Sequence, residues 1–262
     1  PGMQSAFIEI GLVRAAFLHV ADIWAANKNG EQKPIERILH EGQTLVVQVI
    51  KDPIGSKGAR LSTQISIAGR LLVYLPGEQH IGISQRIEDE AEREHLREKV
   101  HQLMPEGEAG GFIVRTVAET ANDEELTADI AYLIALWKSI VEKARSAAAQ
   151  SLLYQDLDLA LRALRDLATR DTERLIVDSR ETHERMRNFA DQYMKASAGV
   201  LEHYHGERPL FDLFAVEDEI GRALERRVDL KSGGYVIFDQ TEALTTVDVN
   251  TGAFVSGRSF DD

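Results

Sequence analysis

The sequence predicts a multidomain α+β protein, and three observations carry that reading. Short apolar runs that alternate with polar residues fill positions 5–63. Apolar residues then recur at helical spacing through much of 87–230, and two further β-type runs follow Lys231-Ser232-Gly233-Gly234. A length of 262 residues suits two or more domains. With 44% apolar and 28% charged residues the composition is that of a soluble globular protein. There is no cysteine, which excludes disulfides, a thiol nucleophile and Cys-ligated zinc or iron–sulfur sites in this chain. No apolar run reaches the ~18 residues of a membrane span and the start has no signal-peptide pattern, so a cytoplasmic location is expected. The balance of 30 Lys plus Arg against 43 Asp plus Glu gives −13. That disfavours a nonspecific polyanion binder but leaves room for a local basic groove.

Residues 5–63 read as all-β. Ala6-Phe7-Ile8-Glu9-Ile10-Gly11 alternates, Ala15-Ala16-Phe17-Leu18-His19-Val20 follows a turn, and Val46-Val47-Gln48-Val49-Ile50 is β-branched. Ala59 to Ile67 is a fourth candidate strand, and Asn27 to Pro34 has loop composition. This rhythm of short strands with one long loop suits a five-stranded barrel of the OB type. Ile67 to Pro76 predicts another strand. Ile87 to Met104 predicts a surface helix with Leu96, Val100 and Leu103 on one face. Gly110-Gly111 lead into a strand ending at Arg115-Thr116. Asn122-Asp123-Glu124-Glu125 is a helix start, and Leu126, Ile130, Leu133, Ile134, Trp137, Ile140, Val141 and Ala144 step at 3.6 spacing behind it. Leu157 to Leu167, Glu181 to Met194 and Phe211 to Val228 predict further helices, with a short strand at Arg174 to Asp178 between them. Tyr235 to Asp239 and Ala243 to Asn250 predict strands. Pro1-Gly2-Met3 has no initiator Met, and Gly252 to Asp262 closes nothing, so the chain is expected to be part of a longer protein.

Three constellations can carry chemistry. Asp248 ends an apolar strand, and Asn250 two residues on points to the same face of a continuing strand. A carboxylate so placed can hold a hard cation such as Mg²⁺, with Asn250 orienting a phosphate or a metal-bound water. The bland reading is a strand end entering an Asx turn. Phe7 and Phe17 with Lys57 can stack unpaired bases and pair a phosphate, or Phe7 is simply core. Arg115-Thr116 can bind a terminal phosphate through a guanidinium fork and a hydroxyl, or form an ordinary surface pair. His203-Tyr204-His205 has metal-ligand spacing but no third ligand in view. Arg86 reads as a helix-start surface residue, Glu88 to Glu98 as a solvated helix face, Trp137 as core and Asp239 as a strand-end cap.

The run Leu230-Lys231-Ser232-Gly233-Gly234-Tyr235-Val236-Ile237-Phe238-Asp239-Gln240-Thr241-Glu242-Ala243-Leu244-Thr245-Thr246-Val247-Asp248-Val249-Asn250-Thr251-Gly252 resembles the catalytic segment of the ribonuclease E/G family, nearest its G-type branch. Co-linear support comes from Ala6 to Gly11, Ala16-Phe17-Leu18-His19, Lys57-Gly58-Ala59-Arg60-Leu61-Ser62-Thr63, Arg115-Thr116 and Pro209-Leu210-Phe211-Asp212-Leu213-Phe214. The resemblance implies an N-terminally incomplete S1-type OB-fold RNA-binding domain over 1–63 and a 5′-sensor α/β subdomain over 64–157. It implies an incomplete RNase H-like α/β subdomain over 158–223 and the truncated start of a DNase I-like catalytic subdomain over 224–262. It further implies a single-strand-specific endoribonuclease that hydrolyses phosphodiesters with Mg²⁺, favours 5′-monophosphorylated RNA, and serves rRNA processing and mRNA decay. Asp248 then matches the first of two metal-binding aspartates and Asn250 an Asn that places the scissile phosphate. Phe7, Phe17, Lys57 and, more weakly, Arg60 match the RNA-binding face. Arg115, Thr116, Gly69 and Val73 match the 5′-phosphate pocket, the last two through backbone contacts. The second Asp, the family's zinc link and its dimerisation domain lie outside this chain, and a homodimer or higher oligomer is implied at full length. The alternative is a non-catalytic fragment that binds RNA and 5′-phosphate; a third option is a structural protein that binds neither.

Overall fold

In the computed structural model, residues 3–23, 33–169 and 171–252 are described. The expected loop at Asn27 to Pro34 falls mostly outside them, as do residues 253–262. The chain divides into two compact units, residues 1–173 with 185–199, and residues 174–184 with 200–262. Among the described residues there are four sheets and six α-helices.

In the first unit, β1 (Ser5–Ile8), β2 (Ala16–His19), β3 (Gln48–Lys51) and β4 (Arg60–Ser62) form one sheet in the order β1-β2-β4-β3. The β2/β4 pair is parallel and the others are antiparallel. Period-2 alternation sends Ala16 and Leu18 inward, against Val20, Ile23, Ile35, Ala59 and Leu61. It sends Phe17 and His19 to the opposite face. The rhythm suits five strands, and four pair in this sheet among the described residues. The predicted strand over 59–67 is two strands in different sheets. Gln48 accepts from Ser66 N at 2.8 Å and donates to Ser66 O at 2.9 Å, and Ser62 Oγ accepts from Gln64 N, so the chain turns before β5 (Ile67–Ala68).

The second sheet orders β5, β6 (Leu72–Leu75), β8 (Gly111–Val114) and β7 (Ile81–Ile83). The short β7 was not anticipated. It runs parallel to β8, and α1 (Glu90–Leu103), capped by Asp89, makes the crossover between them. Gly110 is required where β8 begins, because a Cβ there would enter the Tyr74 ring. The predicted strand over 67–76 is a hairpin instead, broken at Gly69-Arg70-Leu71, for a reason that lies on α2 (Asp123–Ser146).

Helix α2 starts where the sequence places it. Asn122 Oδ1 accepts from Glu125 N at 2.9 Å, and Glu125 Oε2 accepts from Asn122 N at 3.1 Å, a reciprocal capping box. Leu126, Ile130, Leu133, Leu136 and Ile140 are buried, whereas Trp137 is half-buried, beside Tyr74. Asn122→Ala is expected to cost about 1 kcal/mol of stability, read as a lower thermal midpoint with an unchanged far-UV spectrum. Helices α3 (Leu159–Leu167), capped by Asp158, and α4 (Arg180–Tyr193) follow. Arg185 bonds Asp158 at 2.7 Å, and Tyr132 of α2 meets Phe189 and Tyr193 of α4 edge-on.

In the second unit, β9 (Leu175–Val177) and β10 (Leu201–His203) pair in parallel, with Arg174 clasping Glu202. The helix expected over 211–228 is α5 (Leu210–Leu213), α6 (Val216–Ala223) and then a strand, β11 (Arg227–Asp229). Ala215 breaks it with φ +53, and Arg227 to Asp229 exchange helical bonds for pairing with β12 (Tyr235–Gln240). Strand β13 (Thr245–Asn250) completes an antiparallel ribbon in the order β11-β12-β13. Asp239, read as a strand-end cap, instead binds Arg226 through both oxygens, and that hydrogen-bonded guanidinium holds its carboxyl below the usual range.

Candidate functional site

On β13 the two-residue period puts Thr246, Asp248 and Asn250 on one face and Val247 and Val249 on the other. Asp248 lies opposite Ile237 and Asn250 opposite Tyr235. Asp248 is exposed and Asn250 half-buried, and Asn250 Nδ2 donates to Asp248 Oδ2 at 2.9 Å. The pair therefore converges on one face as its spacing predicts, and β13 ends at Asn250 before the turn at Gly252, as the strand-end reading also expects. Among the described residues no cation pairs with Asp248. Its Oδ1 has no protein partner there, so one oxygen remains for a ligand. Such a donor fits a hard divalent cation, which accepts one or two carboxylates beside waters and phosphate oxygens. Among the described residues no group of three or more His, Asp or Glu can enclose a metal by itself. His183, His203 and His205 neighbour one another, at 5.5 and 4.2 Å between ring centroids, without forming such a site.

On the first sheet, Phe7 is paired with Phe17 across β1 and β2, and their rings meet edge-on at 6.1 Å. Phe7 is 67% exposed, which rules out the core reading. His19, missed in the sequence, stacks on Phe17 at 6.4 Å and extends the aromatic surface. The signal was available, since positions 17 and 19 share a strand face. Lys57 is exposed in the turn before β4, bridging Ile54, and among the described residues no contact ties it to the rings. Arg60 is directly opposite Phe17, but Asp22 takes its guanidinium through two hydrogen bonds of 3.0 and 3.2 Å. That pairing lowers its value as a phosphate ligand.

The third constellation gathers around the break between β5 and β6. Arg115 Nη1 donates to Gly69 O at 2.7 Å and to Arg70 O at 3.1 Å, and Arg115 N donates to Leu71 O. Thr116 opens the 3-10 turn that Arg115 precedes. Val73 pairs with Ile113 on the face opposite buried Leu72 and Tyr74. Two residues not anticipated hold this turn. Asp129 of α2 accepts from Arg70 N at 3.1 Å, Leu71 N at 2.9 Å and Leu72 N at 2.8 Å. Arg165 of α3 donates to Ala68 O at 2.8 Å while paired with Asp166. Burial pushes the Asp129 carboxyl up, against the downward pull of those three N–H groups and of Arg165. The available signal for Asp129 was an acid set within the apolar stripe of Leu126, Ile130 and Leu133.

The ribonuclease E/G family model matches residues 66–262. Over its whole length the chain is 50% identical to ribonuclease G of Escherichia coli strain K12, of which it covers 55%. It is 44% identical to ribonuclease G of Haemophilus influenzae, again over the whole chain and 55% of that protein. To ribonuclease E of a Nostoc species it is 37% identical over 97% of the chain and 37% of that protein. The chain thus spans about half the length of the first two relatives.

Proposed function

Because the chain belongs to the ribonuclease E/G family, we propose that it forms the substrate-binding and part of the catalytic apparatus of a single-strand-specific endoribonuclease. The observation that carries this reading is the solvent-facing Asp248, held by Asn250 at 2.9 Å on one face of an antiparallel ribbon. Asp248 is the ligand for a divalent cation, taken as Mg²⁺, which when bound stabilises developing charge at a phosphodiester and makes water a better nucleophile. Asn250 restrains the carboxylate and presents an amide to the scissile phosphate. The other acid of the site is contributed from beyond this chain. Phe7 and Phe17 stack the bases of a single strand, with Lys57 pairing a phosphate and Arg60 secondary. Arg115, Thr116 and the turn at Gly69 to Val73 receive a 5′-monophosphate.

The subdomain reading follows the same lines. It places an S1-type OB domain over 1–63, a 5′ sensor over 64–157, an RNase H-like part over 158–223 and a DNase I-like start over 224–262. A cytoplasmic role in rRNA processing and mRNA decay, and a homodimer or larger assembly at full length, belong to the same proposal. No helix among the described residues is long and apolar enough to cross a membrane.

The test is cleavage of a 5′-monophosphorylated single-stranded RNA by the full-length protein. Internal cuts that require Mg²⁺ and stop with EDTA support the proposal, and absence of internal products overturns it. Among the described residues no cluster of acids forms around Asp248, which favours a second reading for residues 1–262 alone, as a module that binds RNA without cutting it. Binding by this chain without cleavage, against cleavage by the full-length protein, is the result that reading requires.

Phe7→Ala is expected to weaken binding of a short single-stranded RNA by about 1–3 kcal/mol. Its exposure means that thermal stability should scarcely change, so fluorescence anisotropy and a melting curve on the same sample separate the two effects.

A further inference from the structure

We propose that Asp129 is a positioning residue for the 5′-phosphate pocket, fixing the turn whose carbonyl oxygens aim Arg115. The inference rests on the pocket reading given above and deepens it.

The turn at Gly69 to Leu72 is held on both of its polar sides. Its N–H groups at Arg70, Leu71 and Leu72 all donate to one buried carboxylate, that of Asp129, which is 7% exposed. Its carbonyl oxygens at Gly69 and Arg70 both accept from Arg115 Nη1. The preceding carbonyl, Ala68 O, accepts from Arg165, itself 7% exposed. Gly69 has no room for a side chain, since a Cβ would lie 2.5–2.8 Å from the Asp129 carboxylate. The turn, the buried acid and the arginine are therefore one hydrogen-bonded unit.

Arg60 has Asp22, Arg70 has Glu125, and Arg165 has Asp166 as ion-pair partners. Among the described residues no carboxylate pairs with Arg115. Its Nη1 is spent on neutral carbonyls, which orient a guanidinium without neutralising it. Nε and Nη2 have no protein partner there and remain available to a doubly charged anion. Asp129 meanwhile gives its lone pairs to backbone N–H groups and does not compete for Arg115. Fixing the fork before binding removes ordering cost from the bound state.

The experiment compares kcat/KM of the full-length protein on one RNA carrying either a 5′-monophosphate or a 5′-hydroxyl. Arg115→Ala serves as the reference for a lost pocket. Asp129→Asn places an NH₂ group against backbone N–H donors, and is expected to lower the monophosphate preference by about tenfold or more. Cleavage of the 5′-hydroxyl RNA should stay within about twofold, whereas general misfolding would lower both rates. If Arg115→Ala lowers the preference and Asp129→Asn does not, the positioning role is overturned and the pocket stands. If Arg115→Ala leaves the preference intact, the pocket reading fails and the positioning role fails with it. A measurement on the unaltered protein covers the case in which Asp129→Asn does not fold. The amides of Arg70, Leu71 and Leu72 should exchange at least about tenfold more slowly with 5′-phosphorylated pUpU bound, and not with UpU. Equal protection by both dinucleotides overturns the proposal.

Discussion

Asp248→Asn in the full-length protein is expected to cut single-stranded RNA at least about 10³-fold more slowly than the unaltered protein at saturating Mg²⁺. The two side chains are nearly the same shape, and an Asn carbonyl at 248 can still accept from Asn250 Nδ2, so the ribbon should keep its form. What changes is the charge. A neutral amide is a poor ligand for a hard cation, and the phosphodiester then lacks stabilisation as negative charge grows on its oxygens. Position 248 is exposed and unpaired with any cation among the described residues, so folding does not depend on its charge. Affinity for uncleaved RNA should therefore remain within about threefold, because the stacking surface proposed at Phe7 and Phe17 is untouched. A variant that cuts within tenfold of the unaltered protein removes Asp248 from catalysis.

Gly69→Ala is expected to cost about 3 kcal/mol or more of stability and to erase the 5′-monophosphate preference proposed for this pocket. The added methyl meets the Asp129 carboxylate at 2.5–2.8 Å, and that carboxylate cannot swing away without releasing three backbone N–H groups in a buried site. Either the acid is displaced or the turn is, and in both cases Gly69 O and Arg70 O no longer hold Arg115. Gly82→Ala is the matched control. Its Cβ would lie 3.5 Å from the Ile113 side chain, an ordinary contact, and its cost should stay within about 1 kcal/mol. Denaturant melts of the two variants side by side separate the specific clash from a general penalty for adding a methyl group to this sheet.

The features legible in the sequence are those whose cause lies within a few residues. The capping box at Asn122 and Glu125 satisfies donors of its own first turn, so four consecutive residues announce it. Asp248 and Asn250 share a face because a strand repeats every two residues, and the same period joins Phe17 to His19. What the sequence hides depends on distant partners. The break at Gly69 to Leu71 follows from Asp129, 57 to 59 positions away, so the local run still reads as one strand. Arg60 looks like a free cation until Asp22, 38 positions earlier, takes it. The helix over 211–228 fails at Ala215, a residue whose type gives no warning of a left-handed backbone, and Arg227 to Asp229 then join a ribbon that begins only at Tyr235. The alternation of Arg227, Val228 and Asp229 is too short to outweigh the helical spacing before it.

The most direct test of the account is to count bound Mn²⁺ by electron paramagnetic resonance in the full-length protein and in Asp248→Asn, without RNA. The account predicts one bound ion per chain that Mg²⁺ displaces and that the variant loses. An equal number of displaceable ions at equal affinity in both proteins would contradict it.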